Sequence, residues 1–382
     1  MSLFQLEIQL VAAVVAAACA LPGTFLVLRR MAMMSDAISH AILPGIVVGF
    51  FLTGNLSSPI LILGGAATGL LTVVLVEWMR KTNRVREDAA IGLVFSALFA
   101  TGVIMIARYA GDVHLDTDAV LLGELAFAPF DRLQIAGYDL GPQSLYSTGL
   151  VGLLCAAFIM LFYKELKLAT FDSALCATLG FLPGLLHYAL MGIVSMTAVA
   201  AFDAVGSILV VALMVGPPIS AYLLTNRLDR MILYSILLAV TAAVSGYWVA
   251  HLFDASIAGC MVAIVGVQFG ILLCVAPNQG LLAAWRRRKR QRWQFAIKML
   301  VIHLLQHEGT PEAERECRVD HLQDHLAWEK PFAENVVSRA SAKRLLNPVG
   351  ESLELTAAGR ELARDVQRQL KLQLTTVKIS VF

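Results

Sequence analysis

The sequence predicts an all-α polytopic membrane protein of about nine transmembrane helices, followed by a small α+β domain. Three observations predict it. The 382 residues are 58% hydrophobic and only 15% charged, too apolar for an ordinary soluble domain. Apolar runs of about 20 residues, each enough to cross a bilayer as a helix, recur down to about position 276. After APNQGLLAAW the composition changes abruptly, and about half of all charged residues lie beyond position 285.

The runs fall near 5–28, 36–53, 57–78, 88–108, 145–163, 181–200, 202–224, 231–251 and 256–276. The first lacks a charged n-region and a small-residue cleavage site, so it reads as a span rather than a removable signal. Basic residues follow the first run (Arg29, Arg30), the third (Arg80, Lys81, Arg84, Arg86) and the fifth (Lys164, Lys167). They also follow the seventh (Arg227, Arg230) and the ninth (the cluster from Arg286 to Arg290). The loops between carry Asn55, the acidic GDVHLDTD and the HLFD turn. The positive-inside rule then places the N-terminus outside and the C-terminus in the cytoplasm. The expected domains are 1–285 in the membrane, a basic linker at 286–292 and a cytoplasmic domain at 293–382. Of six cysteines, Cys19, Cys155, Cys176, Cys260 and Cys274 lie in or beside the apolar runs without CxxC spacing, which reads as packing rather than a disulfide framework.

The segment MMSDAISHAILPGIVVGFFL places a carboxylate and an imidazole inside a membrane-length run. Ionisable groups there are costly and mark functional positions. Asp36 and His40 are four residues apart and share one helix face. One oxygen and one nitrogen donor suit a divalent transition metal, manganese, zinc or iron alike. With Arg29 and Arg30 at the inner surface, His40 lies about 9 Å along the helix from a start near Met34. The pair is therefore a checkpoint in the inner half of the membrane rather than an outer receptor. Pro44 with Gly45 loosens the helix after His40, and Pro217 and Pro218 with Gly216 are expected to interrupt the seventh run. Asp203, near an outer turn, is a second candidate ligand on the route, although a helix N-cap reads equally simply. The outer GDVHLDTD loop takes no ligand role. No GxxxxGK[ST], HExxH or GxSxG occurs, so the chain is not expected to be an enzyme and any nucleotide belongs to another subunit.

In the tail, helices are expected at about 293–307, at about 312–327, and from Pro331 to about 346. NPVGESLEL reads as a two-stranded wing around Gly350, and Thr356 as the N-cap of AAGRELARDVQRQLKL. The order is winged-helix-like, and LELTAAGRELA resembles the wing-to-helix segment of diphtheria-toxin-repressor-like metalloregulators. A DNA-binding reading would send Asn335, Ser338, Arg339, Lys343 and Arg344 into a major groove. Interspersed acidic residues and the membrane tether favour protein contact or regulation, so DNA is not the expected partner. Cys317, His321 and His325 form an i, i+4, i+8 stripe that offers a cytoplasmic metal site, against the plainer reading of a solvated face.

LVLRRMAMMSDAISHAILPGIVVGF, EDAAIGLVFSALFATGVIM, TDAVLLGELAF, HYALMGIVSMTAVAAFDAVGSILVVALMVGPPISAYLL and DASIAGCMVAIVGVQFG occur in that order. Together they resemble the zinc/manganese/iron family of ABC transporter permeases over about 5–285. The resemblance implies an importer subunit for a divalent metal, manganese first and then zinc or iron. No cofactor is held permanently, and the metal is cargo. The implied partners are cytoplasmic ABC ATPases, an extracytoplasmic metal-binding protein and a second permease subunit. FDSALCATLG looks like the loop that engages the ATPase: Asp172, Ala174, Ala177 and Gly180 fit the pattern, and an amphipathic helix would present Phe171, Leu175 and Leu179. The competing readings are a membrane-tethered metal-responsive regulator with a DNA-binding tail, and an importer of a metal chelate.

Overall fold

Uninterrupted apolar runs cannot leave backbone groups unpaired in lipid, so they become helices. Nine helical stretches among the described residues are long and apolar enough to span a membrane. In this computed structural model the described residues are 3–54, 59–109, 125–135, 138–277, 279–311, 313–322, 326–349 and 352–379. The chain forms two units, Met1–Leu281 and Leu282–Phe382.

The first unit begins with α1 (Leu3–Leu28), α2 (Ala32–Ala41), α3 (Leu43–Thr53), α4 (Pro59–Lys81) and α5 (Glu87–Tyr109). A short 3-10 turn (Leu125–Phe130) and an antiparallel pair, β1 (Arg132–Ile135) with β2 (Tyr138–Pro142), lead to α6 (Gln143–Leu161). Two short helices follow, α7 (Tyr163–Phe171) and α8 (Ser173–Thr178). Then come α9 (Pro183–Leu224), α10 (Leu228–Phe253) and α11 (Ile257–Val275). α1 packs against α6, α9 and α10, and α9 also meets α2, α4 and α11. Small residues at the seams (Ala12, Ala16, Ala20, Ala198, Ala201, Ala239, Ala243) let the backbones approach closely. Thr24 Oγ1 donates to Ser235 Oγ at 3.2 Å, and Thr148 Oγ1 to the Ala200 carbonyl at 2.9 Å, so hydroxyls bridge neighbouring helices inside the bundle.

One expected helix break, at Pro44, is present, and the other moves. The second span is two helices, α2 and α3, divided at Ile42, because Pro44 at the second position of α3 has no N–H for the His40 carbonyl. Pro217 and Pro218, expected to interrupt the seventh run, lie inside α9. The non-helical residue within α9 is Gly206, at φ 77° and ψ 165°, a conformation that a side chain opposes. The chain folds back there. His187 meets Arg29 while Met214 meets Gly23. On a straight helix positions 187 and 214 would be about 40 Å apart, against about 9 Å for 23 and 29. The prolines have a packing role: Pro218 offers no N–H to the Met214 carbonyl, and Gly23 of α1 packs on that carbonyl with no room for a Cβ.

The second unit contains α12 (Leu281–His307), α13 (Ala313–Glu316), α14 (Lys330–Ala342), β3 (Leu346–Val349), β4 (Ser352–Leu355) and α15 (Ala357–Ile379). β3 pairs antiparallel with β4, Leu346 opposite Leu355 and Val349 opposite Ser352. Its core is Ile297, Leu300, Val301, Leu304, Leu322, Val336, Leu346 and Leu353. The basic stretch 286–292 is part of α12 rather than an extended linker. Within the expected helix at 312–327, Ala313–Glu316 is helical (α13) and 317–321 are turns, because Arg318 leaves the helix to bridge Ser352 and Leu353 N–H donates to the Cys317 carbonyl at 2.9 Å. Thr356 Oγ1 accepts from Gly359 N–H at 3.1 Å, capping α15.

Arg360 forks onto both oxygens of Glu308 and holds that carboxyl below the usual carboxylate range. A folded-state pKa below the unfolded one adds stability above the unfolded pKa, and this is lost as pH falls through the folded value. The pair is partly exposed, so the effect is small. Arg360→Ala is expected to flatten the acid limb of unfolding below about pH 4.5 without changing stability's slope near neutrality, measured by tryptophan fluorescence against pH.

Candidate metal pathway and coupling surface

α2 turns Met34, Ala37, Ile38 and Ala41 into the bundle core. Ser35 and Ser39 direct their hydroxyls to the carbonyls of Ala32 and Ser35. That leaves Asp36 and His40 on the remaining face, half-buried, with His40 Nε2 3.4 Å from Asp36 Oδ1. Phe95 and Phe99 of α5 flank the imidazole, with ring centroids 5.9 and 6.4 Å away. The helix ends one residue beyond His40, and the Ile42 carbonyl accepts from the backbone of Gly45 and Ile46. The structure thus joins the first two expected ligands at a helix break, beside aromatic walls. Asp203 lies on the α9 backbone between the spans Pro183–Phe202 and Ala204–Leu224, three residues before Gly206. The GDVHLDTD loop lies outside the described residues.

A second polar cluster went unnoticed in the sequence. Glu77 of α4 accepts from the Tyr188 hydroxyl at 2.7 Å and lies 2.6 Å from His187 Nε2. Arg29, just beyond α1, lies 3.2 Å from His187 Nδ1 and donates through Nε to Thr170 Oγ1 at 3.1 Å. Guanidinium can only donate, so Nδ1 accepts and Nε2 carries the proton towards Glu77. One network therefore ties α1, α4 and α9 to α7. The available signal was an ionisable residue inside an apolar run, LLTVVLVEWMRK, but its partner lies 111 residues away.

The segment between α6 and α9 is two helices rather than one. Asp172 separates them: its Oδ1 accepts from Leu175 N–H at 2.8 Å and caps α8. Leu166 and Cys176 point inward, and Leu166 joins Phe25, Ile159 and Leu190. Ala174 and Ala177 are exposed, and Phe171, Leu175 and Leu179 are 64%, 46% and 59% exposed. Gly180 follows at φ 86°.

Cys317 and His321 of the expected Cys317–His321–His325 stripe do not share a helix face. Cys317 and His321 follow the end of α13 in turns, and His325 is outside the described residues. Burial, with Glu308 and Glu316 adding to it, pushes the Cys317 thiol up from its ordinary value, against a thiolate ligand. His321 instead meets Glu316, with Nε2 3.2 Å from Oε1.

Known proteins share this architecture. The chain is 44% identical to the zinc transport system membrane protein TroD of Treponema pallidum, covering 94% of this chain and 98% of that one. It is 44% identical to the manganese transport system membrane protein MntD of Bacillus subtilis, covering 70% and 90%. Among solved structures it resembles PsaBC from Streptococcus pneumoniae in complex with Fab, at a TM-score of 0.62 and 29% identity over 73% of this chain and 94% of that one. Residues 3–276, which include the Asp36–His40 pair and the nine span-length helices found among the described residues, match the ABC 3 transport family, and the chain belongs to that family.

Proposed function

We propose that the chain is the membrane permease of an ATP-driven importer for a divalent transition metal, manganese first and then zinc or iron. The observation that carries this is the Asp36–His40 pair, a borderline donor set held 3.4 Å apart at a helix break inside a span. The zinc and manganese systems named for its relatives support it. Two separate donors on an open face suit a bare ion better than a chelate whose ligands are already filled. Asp203 is a further ligand on the same route, near the fold-back at Gly206. The half-buried face faces a second permease subunit, and a metal-binding protein outside delivers the ion.

The charge pattern puts the N-terminus outside and the 163–180 segment in the cytoplasm. Its exposed Phe171, Leu175 and Leu179 are the contact for the ATPase, with Ala174, Ala177 and Gly180 allowing close approach. Asp172→Ala removes the α8 cap, at about 1 kcal/mol. It is expected to reduce co-purification of the ATPase subunit while leaving the permease's thermal unfolding nearly unchanged; full ATPase recovery would contradict the contact.

The tail domain, winged-helix-like in its order, acts by regulation or protein contact. Two of its five candidate groove residues are engaged internally: Asn335 donates to the Pro331 carbonyl, and Arg339 stacks over Trp293 at 4.3 Å. The test of the whole reading is radiotracer uptake with competing metals, in vesicles that contain permease, ATPase and binding protein. Saturable, ATP-dependent uptake of manganese displaced by zinc or iron is expected, and none for any of the three would sink it. Deleting residues 292–382 should preserve uptake and alter its metal response.

A further inference from the structure

α12 ends in VIHLLQH, which puts His303 and His307 on one face four residues apart, with ring centroids 4.8 Å apart. The chain turns at once: Thr310 N–H and its hydroxyl both bond to the His307 carbonyl, and α13 returns against α12. The return sets Glu316 beside the two histidines. One ligand atom each from His303, His307 and Glu316 lies within 4.8 Å of the others. His303 and Glu316 are buried, and His307 is half-buried.

We propose that His303, His307 and Glu316 form a second metal site, in the second unit, for a borderline divalent cation such as zinc. Two imidazoles and a carboxylate are the donor set that such ions take, with a remaining position open to water. Around a tetrahedral ion with bonds of about 2.1 Å the ligand atoms sit about 3.4 Å apart, so closing the cluster takes a contraction of at most about 1.4 Å. The surrounding contacts orient the ligands as an outer shell does. His303 Nε2 lies 3.2 Å from the Glu316 carbonyl, which can only accept, so Nε2 is protonated and the lone pair falls on Nδ1. His321 Nε2 holds Glu316 Oε1 at 3.2 Å and is a positioning residue. Occupancy would pin α12 to α13 and, through the Arg318–Ser352 bridge just beyond Glu316, to the β3–β4 pair.

The test uses the full chain in detergent micelles, with Asp36→Ala and His40→Ala removing the membrane pair. On titration with Zn2+ this parent should bind one equivalent per chain and unfold at a higher temperature than without metal. Co2+ in its place should give the visible bands of nitrogen and oxygen coordination. Adding His307→Gln, at the end of α12, should abolish the equivalent, the thermal shift and the bands. Glu316→Gln should also abolish them. Retention of the bound equivalent in both variants, or no bound Zn2+ in the parent, would overturn the site.

Discussion

Asp36→Ala and His40→Ala are each expected to abolish metal uptake while leaving the assembled permease intact. Both side chains lie on the half-buried face of α2, and the residues that hold α2 in the bundle, Met34, Ala37, Ile38 and Ala41, are untouched by either change. A partly exposed ion pair contributes about 0–1 kcal/mol, so folding survives its loss. Transport does not, because a metal entering a span sheds water that only protein donors replace. Losing either group removes the carboxylate or the imidazole from a two-donor set, and no neighbouring hydroxyl substitutes, since Ser35 and Ser39 bond to their own helix. Radiotracer uptake in vesicles, normalised to permease and ATPase recovered together, is the measurement. Normal uptake in both variants would sink the assignment.

Glu77→Ala should have the largest effect on stability. The substitution leaves the Tyr188 hydroxyl without its acceptor and removes the carboxylate 2.6 Å from His187 Nε2, the counter-charge that Arg29 meets through His187. Buried polar groups stripped of partners in this way cost about 3 kcal/mol together. Glu77→Gln keeps an acceptor and should lose less, which separates hydrogen bonding from charge. Because Arg29 also holds Thr170 of α7, uptake per ATP hydrolysed should fall further than the amount of folded protein. An unfolding free energy equal to wild type in Glu77→Ala would show that the network contributes nothing.

The membrane part was legible because span length and apolar content are local properties, and all nine runs appear where the sequence puts them, within a few residues. The Asp36–His40 geometry was legible for the same reason, since helical spacing alone brings i and i+4 together. Elsewhere local rules met tertiary contacts. Pro217 and Pro218 predict a break, yet α1 packs on the carbonyl that Pro218 leaves without a helical donor, and the break moves to Gly206. The stripe Cys317–His321–His325 assumed a helix that the Arg318–Ser352 bridge ends early, and the residues gathered instead are His303, His307 and Glu316. Glu77 with His187 needed a pairing between α4 and α9 that no window of sequence contains.

The fold-back at Gly206 has a consequence for how the protein is made. Between Pro183 and Leu224 there is neither lysine nor arginine, and no hydrophilic loop separates the two spans. The nearest basic residues, Lys167 before and Arg227 after, belong to the same side of the membrane by the charge pattern. The basic flanks thus hold both outer ends of the pair on one side and nothing charged positively marks the tip, so the two spans are expected to enter the bilayer as a hairpin.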